Sequence, residues 1–329
     1  MTDITIQDQL KRCYQRFLGV EHMLPSEAEA LAYLEKECAS LPPAPADEPL
    51  FEPLGDALCR LHLRPALALG ITPRTLARMF TDATNLPPDP AGFAAALDAM
   101  EPQTDADRAY LADYRAKGCP PLHHSAAFRA AYAPAYRVVP QVFARAAQVF
   151  AWVDRGASAP LRLLSIDGPC ASGKTTLAAA LHRVYGCAVL HADDFFLQPH
   201  QRTEARLAEP GGNLDRERFA LEVLTPLRAG RDFTFRPYDC GVQALAEPVS
   251  VKITPLCVIE GAYSQHPDLQ DAYDCRVFTV IDPALQQARL RARNGEAGYR
   301  RFAERWIPLE QRYFEAFGVQ GQADVVIKS

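Results

Sequence analysis

Residues 161–176 read L-R-L-L-S-I-D-G-P-C-A-S-G-K-T-T, and this stretch decides the fold. Leu161, Leu163, Leu164 and Ile166 form a short apolar run of the kind that makes a buried strand. Gly168 to Thr175 fits G-x-x-x-x-G-K-[ST], a turn whose successive backbone N–H groups cradle phosphate oxygens. From Thr176 onward T-L-A-A-A-L-H-R-V predicts a helix, which presents its positive end to the same anion. A chance match on a Gly-rich turn would lack the strand before it and the helix after it. The candidate nucleotide contacts are therefore Gly168, Ala171, Ser172, Gly173, Lys174, Thr175 and Thr176. Lys174 can reach the outer phosphates, and the Thr175 hydroxyl can hold a magnesium ion.

Further along, Cys187–Leu190 predicts a second buried strand, which runs into His191-Ala-Asp-Asp-Phe-Phe196. Ligands of open α/β sheets gather at the carboxyl ends of strands, so Asp193 and Asp194 would stand beside a terminal phosphate. One carboxylate can take a proton from an acceptor hydroxyl while the other orients magnesium or its waters. Leu256–Ile259 and Arg276–Ile281 predict two more strands, and Asp324–Lys328 a last one. Asp282-Pro283 opens a helix carrying Arg289 and Arg293 on one face, with Arg291, Arg300 and Arg301 nearby. Arginines so placed suit a lid over phosphates. Trp306, Tyr313 and Phe314, at helical spacing, are expected in the core.

The first half is punctuated as helices. Ser26 with Glu29 and Thr104 with Asp107 are N-terminal caps, and Thr72-Pro73 and Asp89-Pro90 pair a cap residue with a first-turn proline. Val142, Phe143, Ala146, Phe150 and Val153 give one further apolar stripe. Residues 42–53 and 87–90 are Pro-rich connectors, and strand signals are nearly absent, so residues 1–156 are expected to form an all-α domain. His123-His124 lacks companion ligands and is expected only to lead into a helix at Ser125. Phe128–Arg137, mixing arginine and tyrosine, suits domain packing better than a ligand. Residues 155–160 read as a linker, and 157–329 as the phosphate-binding α/β domain.

With 35 Lys and Arg against 40 Asp and Glu, the net charge of −5 and the lack of a basic block argue against a nucleic-acid surface. Nine cysteines, an odd number with no C-x-x-C pair, predict reduced thiols and a cytoplasmic address. The start, M-T-D-I-T-I-Q-D-Q-L, is unlike a secretion signal, and no apolar run is long enough for a membrane span.

G-P-C-A-S-G-K-T-T followed by H-A-D-D-F-F-L resembles the uridine kinase family of P-loop kinases, whose layout is shared with phosphoribulokinase and bacterial pantothenate kinase. Gly211-Gly-Asn-Leu-Asp215 is similar to its N-F-D segment, Arg236-Pro-Tyr-Asp239 to its P-x-Y-D segment, and Ile259-Glu-Gly261 to its strand-ending E-G. The resemblance spans about residues 160–329. It implies a mostly parallel sheet between helices, ATP and Mg2+ as cofactors, and transfer of the γ-phosphoryl group to a hydroxyl of a small nucleoside-like acceptor. It also implies site roles: Asp193 as base, with Lys174, Arg289 and Arg293 catalytic, and Thr175, Asp193 and Glu260 at the metal. Asp194, Phe196, Asn213, Asp215, Arg236, Tyr238 and Asp239 would face the acceptor. Two family segments change here, N-F-D-H-P to Asn213-Leu-Asp-Arg-Glu and P-x-Y-D-F to Pro237-Tyr-Asp-Cys240, and residues 201–212 form an unusual insert. A kinase of another alcohol, such as pantothenate or a sugar, and a nucleotide-dependent switch are the competing readings. No nucleic-acid or membrane partner is expected, and the sequence leaves the oligomeric state open.

Overall fold

Five parallel strands organise the second half of the chain. The computed structural model describes residues 5–20, 26–157 and 159–328; the first four residues and Ser158 of the linker lie outside these. The chain divides into two units, Met1–Arg155 and Gly156–Ser329.

The first unit is helical, with α1 (Ile6–Phe17), α2 (Glu27–Ser40), α3 (Leu63–Leu69), α4 (Pro73–Ala83), α5 (Pro90–Asp98), α6 (Asp105–Ala116), α7 (Ala126–Tyr132), α8 (Gln141–Arg145) and α9 (Ala147–Arg155). The expected caps are formed: Ser26, Thr72, Asp89 and Thr104 each accept a first-turn backbone N–H. Ile6, Leu10, Cys13, Phe93, Leu97, Leu111 and Tyr114 close one core cluster. The all-α expectation needs an amendment. Strands β1 (Phe51–Pro53), β2 (Leu58–His62) and β3 (Tyr136–Pro140) make a small antiparallel sheet. Its pairing joins residues as far apart as Leu58 and Pro140, which no local pattern announces. The end of the Pro-rich connector is thus an edge strand, where a proline is tolerated. The single apolar stripe of residues 142–153 is two helices, α8 and α9.

In the second unit the sheet contains β4 (Arg162–Asp167), β5 (Ala188–His191), β10 (Leu256–Glu260), β11 (Cys275–Val280) and β12 (Val325–Lys328), in the order β12-β11-β4-β10-β5, every pair parallel. Between β5 and β10 come two small hairpins: β6 (Phe233–Phe235) with β9 (Val249–Val251), and β7 (Tyr238–Asp239) with β8 (Ala244–Leu245). The helices are α10 (Lys174–Tyr185), α11 (Glu204–Ala208), α12 (Arg216–Phe219), α13 (Thr225–Arg228), α14 (Pro283–Arg301) and α15 (Ile307–Phe317). β4 is central and buried on both faces, as a parallel strand between helices must be. Because the chain leaves β4 towards β5 on one side and later fills β11 and β12 on the other, the ends of β4 and its neighbours bound the crevice where such sheets bind ligands. The predicted helix after the glycine turn begins two residues earlier than read, at Lys174. Asp282 caps α14 through the N–H groups of Ala284 and Leu285.

Candidate active site

The site is built on the last residue of β4. Asp167 is fully buried; its Oδ1 accepts the Gly168 N–H at 2.7 Å, and its Oδ2 accepts the Gln265 N–H at 3.0 Å and the Tyr313 hydroxyl at 2.9 Å. Burial pushes its carboxyl up to about 6 against these bonds and the Lys174 charge. The turn that follows needs glycine. At Gly168 φ is +141° and a Cβ would stand 2.3 Å from the Thr279 carbonyl oxygen; Gly173 has φ +92°, and Ala171 itself is held at φ +61°. Ser172 Oγ lies 2.5 Å from Thr279 Oγ1, tying the turn to the neighbouring strand. The Lys174 ammonium folds into the turn and donates to the carbonyls of Gly168 at 2.7 Å and Pro169 at 3.0 Å. Thr175 and Thr176 are exposed in the first turn of α10.

Four acidic and basic groups converge beside this turn. Glu260, buried at the end of β10, accepts on one oxygen from Thr175 Oγ1 at 3.1 Å and from His191 Nδ1 at 2.6 Å. Asp193 and Asp194 follow β5 on a tight turn, Ala192–Phe195. Asp193 Oδ1 packs over the E-G corner, 3.1 Å from where a Cβ on Gly261 would stand. Asp193 remains open to solvent in a crowded crevice. Loss of part of its hydration raises its pKa; Lys174 opposes this and Glu260 adds to it. Asp194 is raised by burial, opposed by His191 and Arg218. The hydrogen bond to Glu260 raises His191 in turn.

A cleft of about 400 Å³ opens at the outer edge of β5, lined in part by His191, Asp194, Phe235, Val249, Ser250 and Lys252. Of the residues expected to face an acceptor, Asp194 lines this cleft. The others are engaged within the fold. Phe196 bridges to Leu214 through its backbone, and the carbonyl of buried Asn213 accepts the Leu197 N–H. Asp215 caps α12 at the Arg218 N–H and accepts Gln201 Nε2 at 2.8 Å. Arg236 donates to the carbonyls of Leu245 and Ala246. The Tyr238 hydroxyl takes a bond from Arg202 and donates to Gln243. Asp239 closes a turn on the N–H groups of Gly241 and Val242.

The two arginines expected to form a lid separate. Arg289 donates to the Ala171 carbonyl at 3.0 Å, whereas Arg293 stacks over Phe302 at 5.6 Å. Between Arg293 and the Arg300–Arg301 pair, Gly295 breaks the helix with φ +67° and ψ 178°. Several participants were not singled out from the sequence. Glu310 of α15, buried, accepts the Cys170 N–H at 2.9 Å, and burial raises its carboxyl. Gln286 donates to the Cys170 carbonyl at 2.9 Å. A signal existed for Glu310: it is an acid set among the apolar helical positions that include Tyr313 and Phe314. Tyr313 is indeed core, fully buried.

The donor set suits magnesium. Thr175 and Glu260 present two hard oxygens 3.1 Å apart beside the phosphate turn, with Asp193 adjacent. Among the described residues no three His, Cys, Asp or Glu side chains enclose a metal by themselves.

No family model and no curated protein matches the chain. Solved structures do. One, described as a possible uridine kinase from Bacillus stearothermophilus, is 25% identical over 52% of this chain and 90% of its own, with a TM-score of 0.41. A protein provisionally described as a fructose transport system kinase from Silicibacter sp. TM1040 is 22% identical over 51% of this chain and 89% of its own, at a TM-score of 0.37. Shikimate kinase from Bacteroides thetaiotaomicron is 16% identical over 51% and 85%, at 0.26.

Proposed function

We propose that this protein is an ATP-dependent small-molecule kinase, transferring the γ-phosphoryl group to a hydroxyl of a small acceptor. One observation carries the reading: the Glu260 carboxylate is tied both to Thr175 of the phosphate turn and to His191 of the acid-bearing segment. Phosphate-binding and proton-accepting groups thereby share one crevice.

The triphosphate rests on the N–H groups of residues 171–175 and the amino end of α10. Lys174 exchanges its two carbonyl partners for phosphate oxygens, and Arg289 adds charge from the lid side. Thr175, Glu260 and Asp193 would hold Mg2+, which neutralises phosphate charge when bound. The acceptor oxygen bonds to the γ-phosphorus as the bond to the β,γ-bridging oxygen breaks and ADP leaves with that electron pair. The acceptor's proton passes to Asp193, or to Asp194 if Asp193 serves the metal. Asp215 and Tyr238 are engaged by Gln201 and Arg202. That favours a second reading of the acceptor, as an alcohol other than a nucleoside that enters the cleft at His191 and Asp194. All nine thiols are unpaired, which supports a cytoplasmic setting. No described helix is long and apolar enough to cross a membrane.

The test is ADP release from ATP with and without a panel of nucleosides, sugars and pantothenate. Acceptor-stimulated release is expected. Hydrolysis at the same rate with every acceptor and with none would replace the kinase with a nucleotide-dependent switch.

A further inference from the structure

Arg218 lies outside every motif of the site, yet its guanidinium joins three segments of it. The side chain is 10% exposed and lies 4.1 Å over the ring of Phe195, the residue after the acid pair. Nη2 donates to the Asp194 carbonyl at 3.0 Å, and Nη1 donates to the Arg236 carbonyl at 2.8 Å. Nε stands 3.5 Å from the Asp215 carboxylate, and Glu222 lies 3.3 Å from Nη1. A planar fork holding two backbone carbonyls fixes distance and angle together, which a single ammonium cannot do.

We propose that Arg218 is the positioning residue of the acceptor half-site, holding the Asp193–Asp194 turn in register with the segment at Arg236 that follows cleft-lining Phe235. The inference rests on the kinase reading for its catalytic consequence, but not for its geometry. One side of the pair is a turn of four residues whose other long-range anchors are the buried Phe195 ring, stacked on Phe235 at 5.1 Å, and the Phe195 carbonyl, which accepts the Asp215 N–H at 2.7 Å. The other is a short hairpin region whose own strands are two and three residues long. The Phe195–Phe235 stack is apolar and non-directional, so the buried cation shared by both segments supplies the directional bonds that fix their register. The phosphate turn is anchored separately, by Asp167, Thr279 and Glu310. Loss of Arg218 therefore acts on the acceptor and leaves the nucleotide's seat alone.

The experiment compares wild type with Arg218→Met and Arg218→Lys, using steady-state kinetics with the best alcohol of the panel and amide hydrogen exchange. Expected for Arg218→Met is an acceptor KM raised about tenfold with a lower kcat and an unchanged ATP KM, since a buried charged hydrogen bond has been removed. Arg218→Lys keeps the charge but not the fork and should recover part of the loss. Exchange should rise jointly in peptides covering 192–197 and 236–246 and stay unchanged over 168–176. Should Arg218→Met prove unfolded, Arg218→Lys decides alone: wild-type acceptor KM together with wild-type exchange would overturn the proposal. An equal rise in both KM values would also overturn it, because that marks general loosening. If wild type shows no acceptor-stimulated ADP release, the kinase reading falls by itself. The exchange pattern then still decides, joint deprotection supporting the positioning role and unchanged protection refuting it.

Discussion

Lys174 spends its charge on two carbonyls of its own turn, 2.7 and 3.0 Å away, and so stands ready to trade them for phosphate oxygens. Lys174→Ala should lower phosphotransfer by about 10²–10³-fold, the usual cost of losing one preorganised charge donor, with the melting temperature nearly unchanged. Single-turnover transfer from labelled ATP measures it. Asp193→Asn should retain ATP affinity and lose about 10²–10⁴ in rate if Asp193 is the base. Asp194→Asn losing more would transfer the role to its neighbour. The pH dependence has a definite sign. Loss of hydration and Glu260 raise the Asp193 pKa, Lys174 opposing. The active, deprotonated form is therefore gained as pH rises through that raised value. A profile of kcat/KM for the acceptor should climb on its acid limb, and the Asp193→Asn profile should lose the limb.

Elements differ in how plainly their sequence announces them. The inner strands β4 and β10 are largely apolar runs ending in a charged or glycine-bearing turn, the signature of burial on two faces, whereas the edge strands β5 and β12 are short and only part-buried. The strands of the first unit are three to five residues long and pair across as many as 82 positions. Their stability comes from partners that a local window does not contain. The same division runs through the site. The phosphate turn and the carboxylates at strand ends are consecutive residues with fixed chemistry, and they were legible. Arg218 and Gln286 reach the site from helices far along the chain and nothing in their spacing points back to it, while Glu310 announces itself only as an acid among apolar helical positions. Residues matched by resemblance alone, such as Arg236 and Asp239, hold turns. At this scale Gly168→Ala is the informative change. A left-handed φ and a Cβ set against the Thr279 carbonyl would add about 1–3 kcal/mol of backbone strain. ATP should cease to stabilise the variant in thermal melts, and undiminished stabilisation would contradict the geometry.

For the molecule as a whole, the response to acid is set in part by the first unit. His124, buried, sits between Asp8 Oδ1 at 2.8 Å and the Tyr136 hydroxyl at 2.7 Å. Nδ1–H donates to the carboxylate, and Nε2 is left to accept from the tyrosine. Burial lowers its pKa to about 4; Asp8 opposes this, and Arg60 and Lys11 reinforce it. The unfolded chain takes up this proton from about pH 6.5 downwards and the folded one only near 4, so stability should fall as pH drops through that window. Burial lowers His62 as well, with the same sign. Melting temperatures at pH 7 and pH 5 should differ more for wild type than for His124→Gln, and an equal fall in both would exclude His124 as the source. The Asp8 carboxylate also takes bonds from Thr5 Oγ1 at 2.6 Å, Ser125 Oγ at 2.7 Å and the Ser125 N–H at 3.0 Å. Asp8→Ala strands these donors and should cost about 2–4 kcal/mol in chemical denaturation. One acid near the beginning of the chain thus works as a buckle, fastening a leading helix to a segment 117 positions downstream. A shortened protein starting after residue 9 would lose that fastening and should resist expression as a soluble product, even though every group proposed for catalysis would still be present.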